Sequence, residues 1–234
     1  MRRMTVLTGG LLAGAAAFAY RRFRARGSET LTPEEGSLFT VYAPGGRYGF
    51  LANGPVGWVI ARLMPMVEAG VYDTVAEMLD LQPDDELLDI GCGPGAFLAA
   101  KAGDTLRVVG LDPSRTMLRA AERRLADRLK TGTARLVTGS AAELPFDDGE
   151  FSAVTAIFAP VDLTEAFRVL SPGGRCVLAD NDPRKSSREP ANRWGRQRWT
   201  EDEHRRLLED AGFTDPTVRY KGNYLFGGVR KPSE

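Results

Sequence analysis

Histidine and cysteine are scarce in this chain. Its 234 residues include one histidine and two cysteines, and Cys92 and Cys176 stand in unrelated contexts without CxxC spacing. A disulfide framework, a zinc centre and a histidine-based catalytic triad are therefore disfavoured, and no metal site is expected. Net charge is also lacking, because 31 basic residues balance 31 acidic ones, so no general attraction to nucleic acid is expected.

Long uncharged runs are rare, and the clearest one covers residues 5–20. The flanking arginines are Arg2, Arg3, Arg21, Arg22, Arg24 and Arg26. As a helix this run would span about 24 Å, and snorkelling arginines could bridge the rest of a hydrocarbon core of about 30 Å. A single-pass anchor is favoured, and the heavier basic flank would keep the rest at the cytoplasmic face. A cleaved signal peptide and a loosely ordered extension are the alternatives.

The chain therefore divides into an N-terminal segment (1–26), a linker and one domain. Residues 27–53 are rich in Gly, Pro, Ser and Thr and predict the linker, which leaves 54–234 for the domain. Apolar residues over 56–81 recur at helical spacing with interruptions at Pro65 and Gly70, which predicts two helices. After Pro83, short apolar strands alternate with amphipathic helices. This alternation is typical of a doubly wound, mainly parallel α/β sheet.

The pattern predicts the following elements after Pro83. Strands are expected at Glu86–Ile90, Arg107–Leu111, Arg135–Thr138, Ala153–Phe158 and Cys176–Ala179, with a closing hairpin of Thr217–Tyr220 and Tyr224–Val229. Helices are expected at Gly95–Lys101, Ser114–Lys130, Thr164–Leu170 and Glu201–Ala211, and a turn at Ser171–Gly174. His204 falls on the last helix and is interpreted as an exposed helical residue.

A glycine-rich turn, Gly91–Gly95, follows the first of these strands. Glycines permit a tight turn and let a ligand approach the backbone. The spacing Gly91-x-Gly93-x-x-Ala96 also fits the dinucleotide pattern G-x-G-x-x-G/A. The glycines alone therefore do not separate a dinucleotide from other nucleoside cofactors.

Asp89 at the end of that strand favours one cofactor. A dinucleotide places its pyrophosphate at this turn, where a carboxylate about 4 Å away would oppose it by on the order of 4 kcal/mol at an effective dielectric near 20. S-adenosylmethionine carries no phosphate, and its ammonium and sulfonium are both positive. Pro94 also suits a ligand that does not need every backbone N–H. Local capping of N–H groups is the alternative role for Asp89.

Asp112 and the segment after the third strand extend the candidate site. A carboxylate at the end of the second strand can accept the ribose hydroxyls of a nucleoside, and it can also cap the helix that follows. The segment GSAAELPF (139–146) offers a polar side chain and N–H groups for the adenine edge. These features support a nucleoside ligand without choosing between NAD and S-adenosylmethionine.

Four segments in order are LLDIGCGPG (87–95), VVGLDPS (108–114), GSAAELPFDDGEFSAV (139–154) and RVLSPGGRCVLAD (168–180). Together they resemble the class I S-adenosylmethionine-dependent methyltransferases, and most of all the methyltransferase type 11 branch that includes quinone-biosynthesis enzymes. The ending WTEDEHRRLLEDAGF (199–213) is similar to that branch too. The resemblance implies a Rossmann-like, seven-stranded sheet with an antiparallel last strand, core motifs over 87–180, and S-adenosyl-L-methionine as cofactor.

The resemblance also implies roles for individual residues. Asp89, Gly91 and Gly93 would face the methionine part, and Asp112 the ribose. The other cofactor contacts it implies are Cys92 and Gly95 in the turn, Pro113, Ser114 and Met117 beside the adenine, Ser140 and Ala141 at its edge, and Ile157 or Phe158 lining the pocket. Ser140 and Ser152 stand where the family often has aspartate, and residues 159–162 lack the histidines common there.

Methyl transfer to a small acceptor is the function these observations favour. No base is assigned, and Tyr42, Asp162 and Asp180 are the candidates. Two segments could recognise the acceptor: the aromatic-rich stretch 39–66 and the basic, tryptophan-containing stretch Pro183–Trp199. Together with the uncharged run at 5–20, the basic stretch suggests a lipophilic acceptor met at the membrane. A solvated loop is the alternative for the basic stretch, and a core-and-lid role is the alternative for the aromatic one. The alternatives are a non-catalytic module that binds S-adenosylmethionine and, less favoured, an NAD-dependent oxidoreductase.

Overall fold

The computed structural model describes residues 70–159, 161–182 and 201–233, together with Arg62. The expected anchor, the linker, Tyr42, the stretches 39–61 and 183–199, and the earlier of the two helices expected over 56–81 lie outside the described residues. Within the described ranges, no helix combines the length and apolar character needed to cross a membrane.

The described chain alternates between helices and strands. Helix α1 covers 70–79. The following strands are β1 (Glu86–Ile90), β2 (Arg107–Asp112), β3 (Ala134–Thr138), β4 (Phe151–Ile157), β5 (Leu170–Asn181), β6 (Thr214–Lys221) and β7 (Tyr224–Arg230). The helices between them are α2 (Ala96–Lys101), α3 (Arg115–Arg124), α4 (Ala126–Thr131), α5 (Leu163–Val169) and α6 (Glu201–Asp210).

The seven strands form one sheet in the order β3-β2-β1-β4-β5-β7-β6. The first five strands are parallel to one another, and β7 is antiparallel to both β5 and β6. The prediction of a doubly wound, mainly parallel sheet with an antiparallel last strand is confirmed. Chain order reverses between β1 and β4, and ligands of open α/β sheets bind at the carboxyl ends of the strands beside such a reversal.

Both faces of the sheet are covered, which explains the continuous apolar runs in its central strands. Leu87 and Leu88 are successive residues of β1 that point to opposite faces, and both are completely buried. Helices α5 and α6 cover one face, with Val169 and Leu208 in that half of the core. Helices α1, α2 and α3 cover the other face. The helices thus cover the two faces of the sheet and leave the ends of the strands uncovered.

Three element boundaries differ from the sequence prediction. The helix expected over Ser114–Lys130 is interrupted at Leu125, which is buried with non-helical backbone angles (φ −101°, ψ 16°) and separates α3 from α4. Strand β4 ends before Phe158, whose φ is +54°. The turn expected at Ser171–Gly174 lies inside β5, where the register against β4 shifts and the Gly173 N–H donates to the Lys231 carbonyl (3.0 Å).

Ser152 lies near the amino ends of the strands, whereas the candidate site lies at their carboxyl ends. Its hydroxyl donates to Asp85 (2.6 Å) and accepts from the Glu86 N–H (3.0 Å), and Arg175 forms an ion pair with the same Asp85. This residue therefore joins β1, β4 and β5 near the amino ends of β1 and β4. Its departure from the family pattern does not alter the open edge at the strand ends.

Candidate functional site

The glycine turn Gly91–Gly95 satisfies its own backbone donors. The N–H groups of Gly91 and Cys92 donate to the Leu111 carbonyl (2.7 and 3.0 Å), Gly93 donates to Asp112 Oδ2 (2.9 Å), and Gly95 donates to the Cys92 carbonyl (2.9 Å). Pro94 has no N–H. A pyrophosphate is held in such turns by backbone N–H groups, and here each of those groups already has a partner.

The three glycines of the turn have positive φ for different steric reasons. Their φ values are +71° at Gly91, +52° at Gly93 and +69° at Gly95. A Cβ on Gly91 would overlap the methyl group of Ala159, and one on Gly95 would lie 2.9 Å from the Cβ of Ala121. A Cβ on Gly93 would have no atom within 4 Å. Space for a ligand against the backbone is therefore found at Gly93.

Asp112 ties the glycine turn to the start of α3. One carboxylate oxygen accepts from the Gly93 N–H (2.9 Å), and the other accepts from the Ser114 N–H (2.7 Å). Burial raises the pKa of this carboxyl, and the two N–H donors oppose the rise. An ionised carboxylate has about four acceptor positions, so two remain for ribose hydroxyls. The capping and ribose roles considered for Asp112 are compatible.

Asp89, near the end of β1, and Cys92, within the glycine turn, are both buried. Asp89 is 2% exposed. Burial raises the pKa of the Cys92 thiol well above its usual value, and the negative charges of Asp89 and Asp112 raise it further. The sulfur packs against Gly110 of β2, where an added Cβ would lie 2.8 Å away. Cys92 is therefore a protonated, space-filling residue, and two buried carboxylates make this end of the sheet negative.

Residues expected around the adenine lie at the ends of β2 and β3. Ser114 is the N-cap of α3, and its hydroxyl accepts from the buried Met117 N–H (3.3 Å). Pro113 and Ser140 are exposed at the edge, and the Ser140 hydroxyl accepts from the Ala142 N–H (3.2 Å). Ala141 is half-buried. The sheet thus brings these residues to the same edge as the glycine turn, and their adenine contacts stay a prediction.

Arg168 holds the segment after β3, a role the sequence reasoning missed. Its guanidinium donates to the carbonyls of Leu144 (3.0 Å) and Phe146 (2.8 Å) and pairs with Asp148 (2.8 Å). It also pairs with Glu165 (2.8 Å) and lowers the pKa of that carboxyl. The arginine in the segment RVLSPGG was the available signal, but its partners are visible only once α5 packs beside the loop.

Phe158 stands at the end of β4 in a backbone conformation that bulky residues rarely adopt. Its φ is +54°, and its N–H donates to the Ala179 carbonyl of β5 (2.8 Å). Its ring packs on Tyr224, at the start of β7, with centroids 5.4 Å apart. Such strain is held in place by surrounding structure and is concentrated at functional sites. The two half-buried rings form one wall at the end of β4 and the start of β7, and the next residue after Phe158, Ala159, lies against Gly91 of the glycine turn. Tyr224 had no sequence signal.

The interpretations of two titratable residues, Asp162 and His204, change. Asp162 is the N-cap of α5 and accepts from the N–H groups of Thr164 (2.9 Å) and Glu165 (3.3 Å), so its carboxylate has a structural role. The prediction that His204 is exposed is wrong. The residue is half-buried because it precedes the fully buried Leu208 by four positions, which places both on the core face of α6.

The fold and this edge define a class of protein. The sheet is mainly parallel in the order 3-2-1-4-5-7-6, its glycine turn offers no N–H to phosphate, and buried carboxylates lie at the ends of β1 and β2. This is an α/β domain suited to a cationic nucleoside. The family comparison agrees. Residues 87–174 match the family described as Methyltransferase domain. Over this segment, the predicted resemblance to the class I methyltransferases and the predicted cofactor, S-adenosyl-L-methionine, are both confirmed.

Several relatives in sequence are named methyltransferases. The chain is 37% identical over 109 residues to a demethylmenaquinone methyltransferase of Symbiobacterium thermophilum, covering 42% of this chain and 43% of that protein. It is 33% identical over 143 residues to nocamycin O-methyltransferase of Saccharothrix syringae, covering 52% and 51%. The chain therefore spans about half the length of the curated relatives it matches.

Solved structures share the fold at lower identity. The geranyl diphosphate C-methyltransferase of Streptomyces coelicolor, solved with S-adenosyl-L-homocysteine, has a TM-score of 0.57 and 19% identity over 70% of this chain and 76% of its own. The [4+2]-cyclase SpnF has a TM-score of 0.59 and 20% identity over 70% and 82%. At this identity the likeness establishes the fold alone.

Proposed function

We propose that this chain transfers a methyl group from S-adenosyl-L-methionine to a small acceptor at the carboxyl ends of β4 and β5. The observation that carries the proposal is the glycine turn. Its N–H groups are bonded within the protein, space remains beside Gly93, and Asp89 and Asp112 supply buried negative charge. This combination favours a cationic nucleoside and disfavours a pyrophosphate.

The residues present fit this cofactor. Asp89 would face the positive methionine part, Asp112 would accept from the ribose, and Ser140 and Ala141 would border the adenine. When bound, S-adenosyl-L-methionine supplies a methyl group on a sulfonium whose leaving group is a neutral thioether. The chain then has to align the acceptor and exclude water, and Phe158 with Tyr224 provides an apolar wall for both purposes.

A lipophilic acceptor at the cytoplasmic face of a membrane is the finer form of the proposal. Its support is the uncharged run at 5–20 with arginines on both sides, the basic and tryptophan-containing stretch 183–199, and the aromatic wall of Phe158 and Tyr224. The name of one group of relatives, demethylmenaquinone methyltransferase, agrees with a lipophilic ring as acceptor.

The test uses the full chain with cofactor radiolabelled in the methyl group. Membrane and soluble extracts are incubated with the protein, and the labelled product is then fractionated. We expect label in a small, solvent-extractable compound from the membrane fraction, and a variant lacking residues 1–26 should lose most of that labelling. Label confined to protein or RNA would contradict the small acceptor, and full activity of the truncated variant on membranes would contradict the membrane role.

A second candidate is a protein that binds the cofactor without transferring its methyl group. The similarity of fold to the [4+2]-cyclase SpnF favours it, since that protein has the same architecture and a different named reaction. Micromolar binding of S-adenosyl-L-homocysteine, combined with no labelled product from any extract, would support this candidate over the first.

A further inference from the structure

The segment that follows β3 has little regular structure of its own. This β3 loop, residues 139–148, contains neither helix nor strand apart from an isolated bridge between Ser140 and Glu143. The Ser140 hydroxyl also accepts from the Ala142 N–H (3.2 Å). Ser140 and Ala141 are the residues proposed above to border the adenine. Because no strand or helix fixes the loop, its position depends on bonds from neighbouring elements.

Two side chains of α5 bind the backbone of the β3 loop. The Glu165 carboxylate accepts from the Leu144 N–H (2.8 Å). The Arg168 guanidinium donates to the carbonyls of Leu144 (3.0 Å) and Phe146 (2.8 Å). Both polar backbone groups of Leu144 are therefore bonded to α5, and Pro145, which follows it, has no N–H to satisfy.

The two side chains also bind each other. Nε and one terminal nitrogen of Arg168 donate to the two carboxylate oxygens of Glu165, both at 2.8 Å, which is the bidentate geometry of a guanidinium with a carboxylate. The other terminal nitrogen pairs with Asp148 (2.8 Å), the last residue of the loop. The planar guanidinium fixes where each donor lies, so the single ammonium of a lysine cannot reproduce the set.

Backbone contacts join the loop to both ends of α5. At the start of the helix, the Asp162 N–H donates to the Ala141 carbonyl (3.4 Å). At its end, the Arg168 carbonyl accepts from the N–H of Gly149, the residue after the loop (2.9 Å). Between these points the Leu144 side chain is buried in the core. Helix α5 therefore contacts the β3 loop from the proposed adenine residues to its last turn.

The β3 loop also adjoins the glycine turn. Leu111 of β2 touches both, because its carbonyl accepts from the Gly91 N–H (2.7 Å) and its side chain lies 2.9 Å from the position that a Cβ on Gly139 would occupy. On the other side of the turn, Ala159, shortly before α5, lies against Gly91. A shift of the loop relative to α5 would therefore reach the edge assigned to the cofactor.

We propose that Arg168 and Glu165 are positioning residues for the adenine, which hold the β3 loop where it recognises the base and do not touch the cofactor themselves. The inference rests on the proposed function and deepens it, since it assigns the base selectivity of the cofactor site to a pair on α5. The edge of adenine presents an amino donor and a ring-nitrogen acceptor, and hypoxanthine reverses both. A loop held in place distinguishes the two bases, and a loop released from α5 does not.

Calorimetry on the full chain compares S-adenosyl-L-homocysteine with S-inosyl-L-homocysteine, which carries hypoxanthine in place of adenine. We expect the wild type to bind the adenosyl compound at least about tenfold more tightly. In Arg168→Gln, the Kd for the adenosyl compound should rise about tenfold, with little change for the inosyl compound, so that the preference nearly vanishes. Arg168→Lys keeps the charge without the planar fork and should change in the same direction by less.

Arg205→Gln is the matched control. Arg205 of α6 pairs with Glu201 on its own helix (3.0 Å) and donates to the Pro216 carbonyl (2.6 Å), so it also combines an ion pair with a bond to the backbone of another element. Those bonds lie at β6, the strand at the opposite side of the sheet from β3. We expect Arg205→Gln to lose some stability and to leave both Kd values unchanged.

Hydrogen exchange measured by mass spectrometry distinguishes a loosened loop from a loosened fold. In Arg168→Gln, faster exchange should be confined to the β3 loop, while β1 and β4 exchange as in the wild type. S-adenosyl-L-homocysteine should slow the exchange of the loop more in the wild type than in the variant. Faster exchange throughout the sheet would make Arg168 a general stabilising residue and would overturn the inference.

The outcomes separate this inference from the proposed function. A wild type without preference for the adenosyl compound, or an Arg168→Gln variant that keeps the wild-type preference, overturns the positioning role alone. Equal losses of affinity for both compounds in that variant, or the same losses in Arg205→Gln, overturn it as well. A wild type that binds neither compound overturns both proposals. A wild type that shows the expected binding pattern but methylates no acceptor overturns the proposed transfer and supports the positioning role.

Discussion

The ends of β1 and β2 and the ends of β4 and β5 lie at one edge of the same sheet but are built differently. In the first region, the cofactor half (Asp89, Gly91–Gly95 and Asp112), the turn closes on the adjacent strand through its own backbone. In the second, the proposed acceptor half (Phe158, Ala159 and Tyr224), the side chains are positioned by segments far apart in sequence. A site built from residues close together in sequence can be predicted from the sequence, whereas a site built from residues that only tertiary packing brings together cannot.

The largest expected effect separates the two glycines of the cofactor half. Gly91→Ala adds a methyl group that overlaps Ala159 at positive φ, and we expect a loss of about 3 kcal/mol from strain and overpacking together. Gly93→Ala has only the strain, about 1–2 kcal/mol, but fills the space assigned to the cofactor. Urea unfolding and calorimetry with S-adenosyl-L-homocysteine measure the two effects. Equal stability of the variants would contradict this division.

Asp112→Asn tests the link between the turn and the ribose. The amide has one oxygen for two N–H donors, so one of them loses its acceptor, and we expect a loss of about 1–3 kcal/mol. Affinity for S-adenosyl-L-homocysteine should fall at least tenfold at pH 7. Wild-type affinity should also fall as the pH is lowered through a midpoint above 3.8, because burial raises the pKa of Asp112, and Asp112→Asn should lose this dependence.

Ionisation of Asp112 affects the stability of the fold in the opposite direction to its effect on affinity for the cofactor. A carboxyl with a raised pKa in the folded state stabilises the fold below its unfolded value of 3.8 and loses that contribution as the pH rises through the folded pKa. The cofactor half therefore keeps a charge that opposes folding and favours its ligand. Affinity that is flat with pH in the wild type would contradict an ionised Asp112 as the ribose acceptor.

In the acceptor half, two substitutions of Phe158 separate the ring from the backbone strain. Phe158→Ala and Phe158→Gly both remove the ring from Tyr224, but only glycine relieves φ +54°. We expect the glycine variant to be more stable than the alanine variant by about 1 kcal/mol in urea unfolding. Both should impair methyl transfer and leave the Kd for S-adenosyl-L-homocysteine within about twofold. Equal loss of cofactor binding would place Phe158 in the cofactor half instead.

The smallest effects concern Asp162, where a cap and a base make different predictions. Asp162→Asn retains an oxygen for the N–H groups of Thr164 and Glu165, so stability and methyl-transfer rate should both stay close to wild type. Asp162→Ala removes the cap and should cost about 0.5–2 kcal/mol in thermal or urea unfolding. A large fall in the rate of Asp162→Asn, with stability intact, would return Asp162 to the list of bases.

Much of the cofactor half could be predicted because its determinants are contiguous. Asp89 and the glycines follow one strand, Asp112 ends the next, and strand–helix alternation fixes which ends meet. The sequence did not predict that Asp112 also accepts a hydrogen bond from the Gly93 N–H, because this bond depends on the register of β1 against β2. The break in the helix at Leu125 was also missed, because the residues before and after it both form helices and the sequence pattern does not mark the interruption.

The acceptor half resisted prediction for physical reasons. On the other face of the sheet, His204 was predicted to be exposed, and only the packing of α6 against β7 makes it half-buried. The contact of Phe158 with Tyr224 requires β7 to pair with β5, and Arg168 becomes an anchor only where α5 meets the segment after β3. Such contacts have no fixed spacing in the chain, so no local pattern reports them.

Calorimetry of the purified full chain with S-adenosyl-L-homocysteine and, separately, with NAD tests the central claim most directly. The bonded N–H groups of the turn and the buried carboxylates predict micromolar binding of S-adenosyl-L-homocysteine and no heat with NAD. Micromolar binding of NAD, with no heat from S-adenosyl-L-homocysteine, would contradict the account.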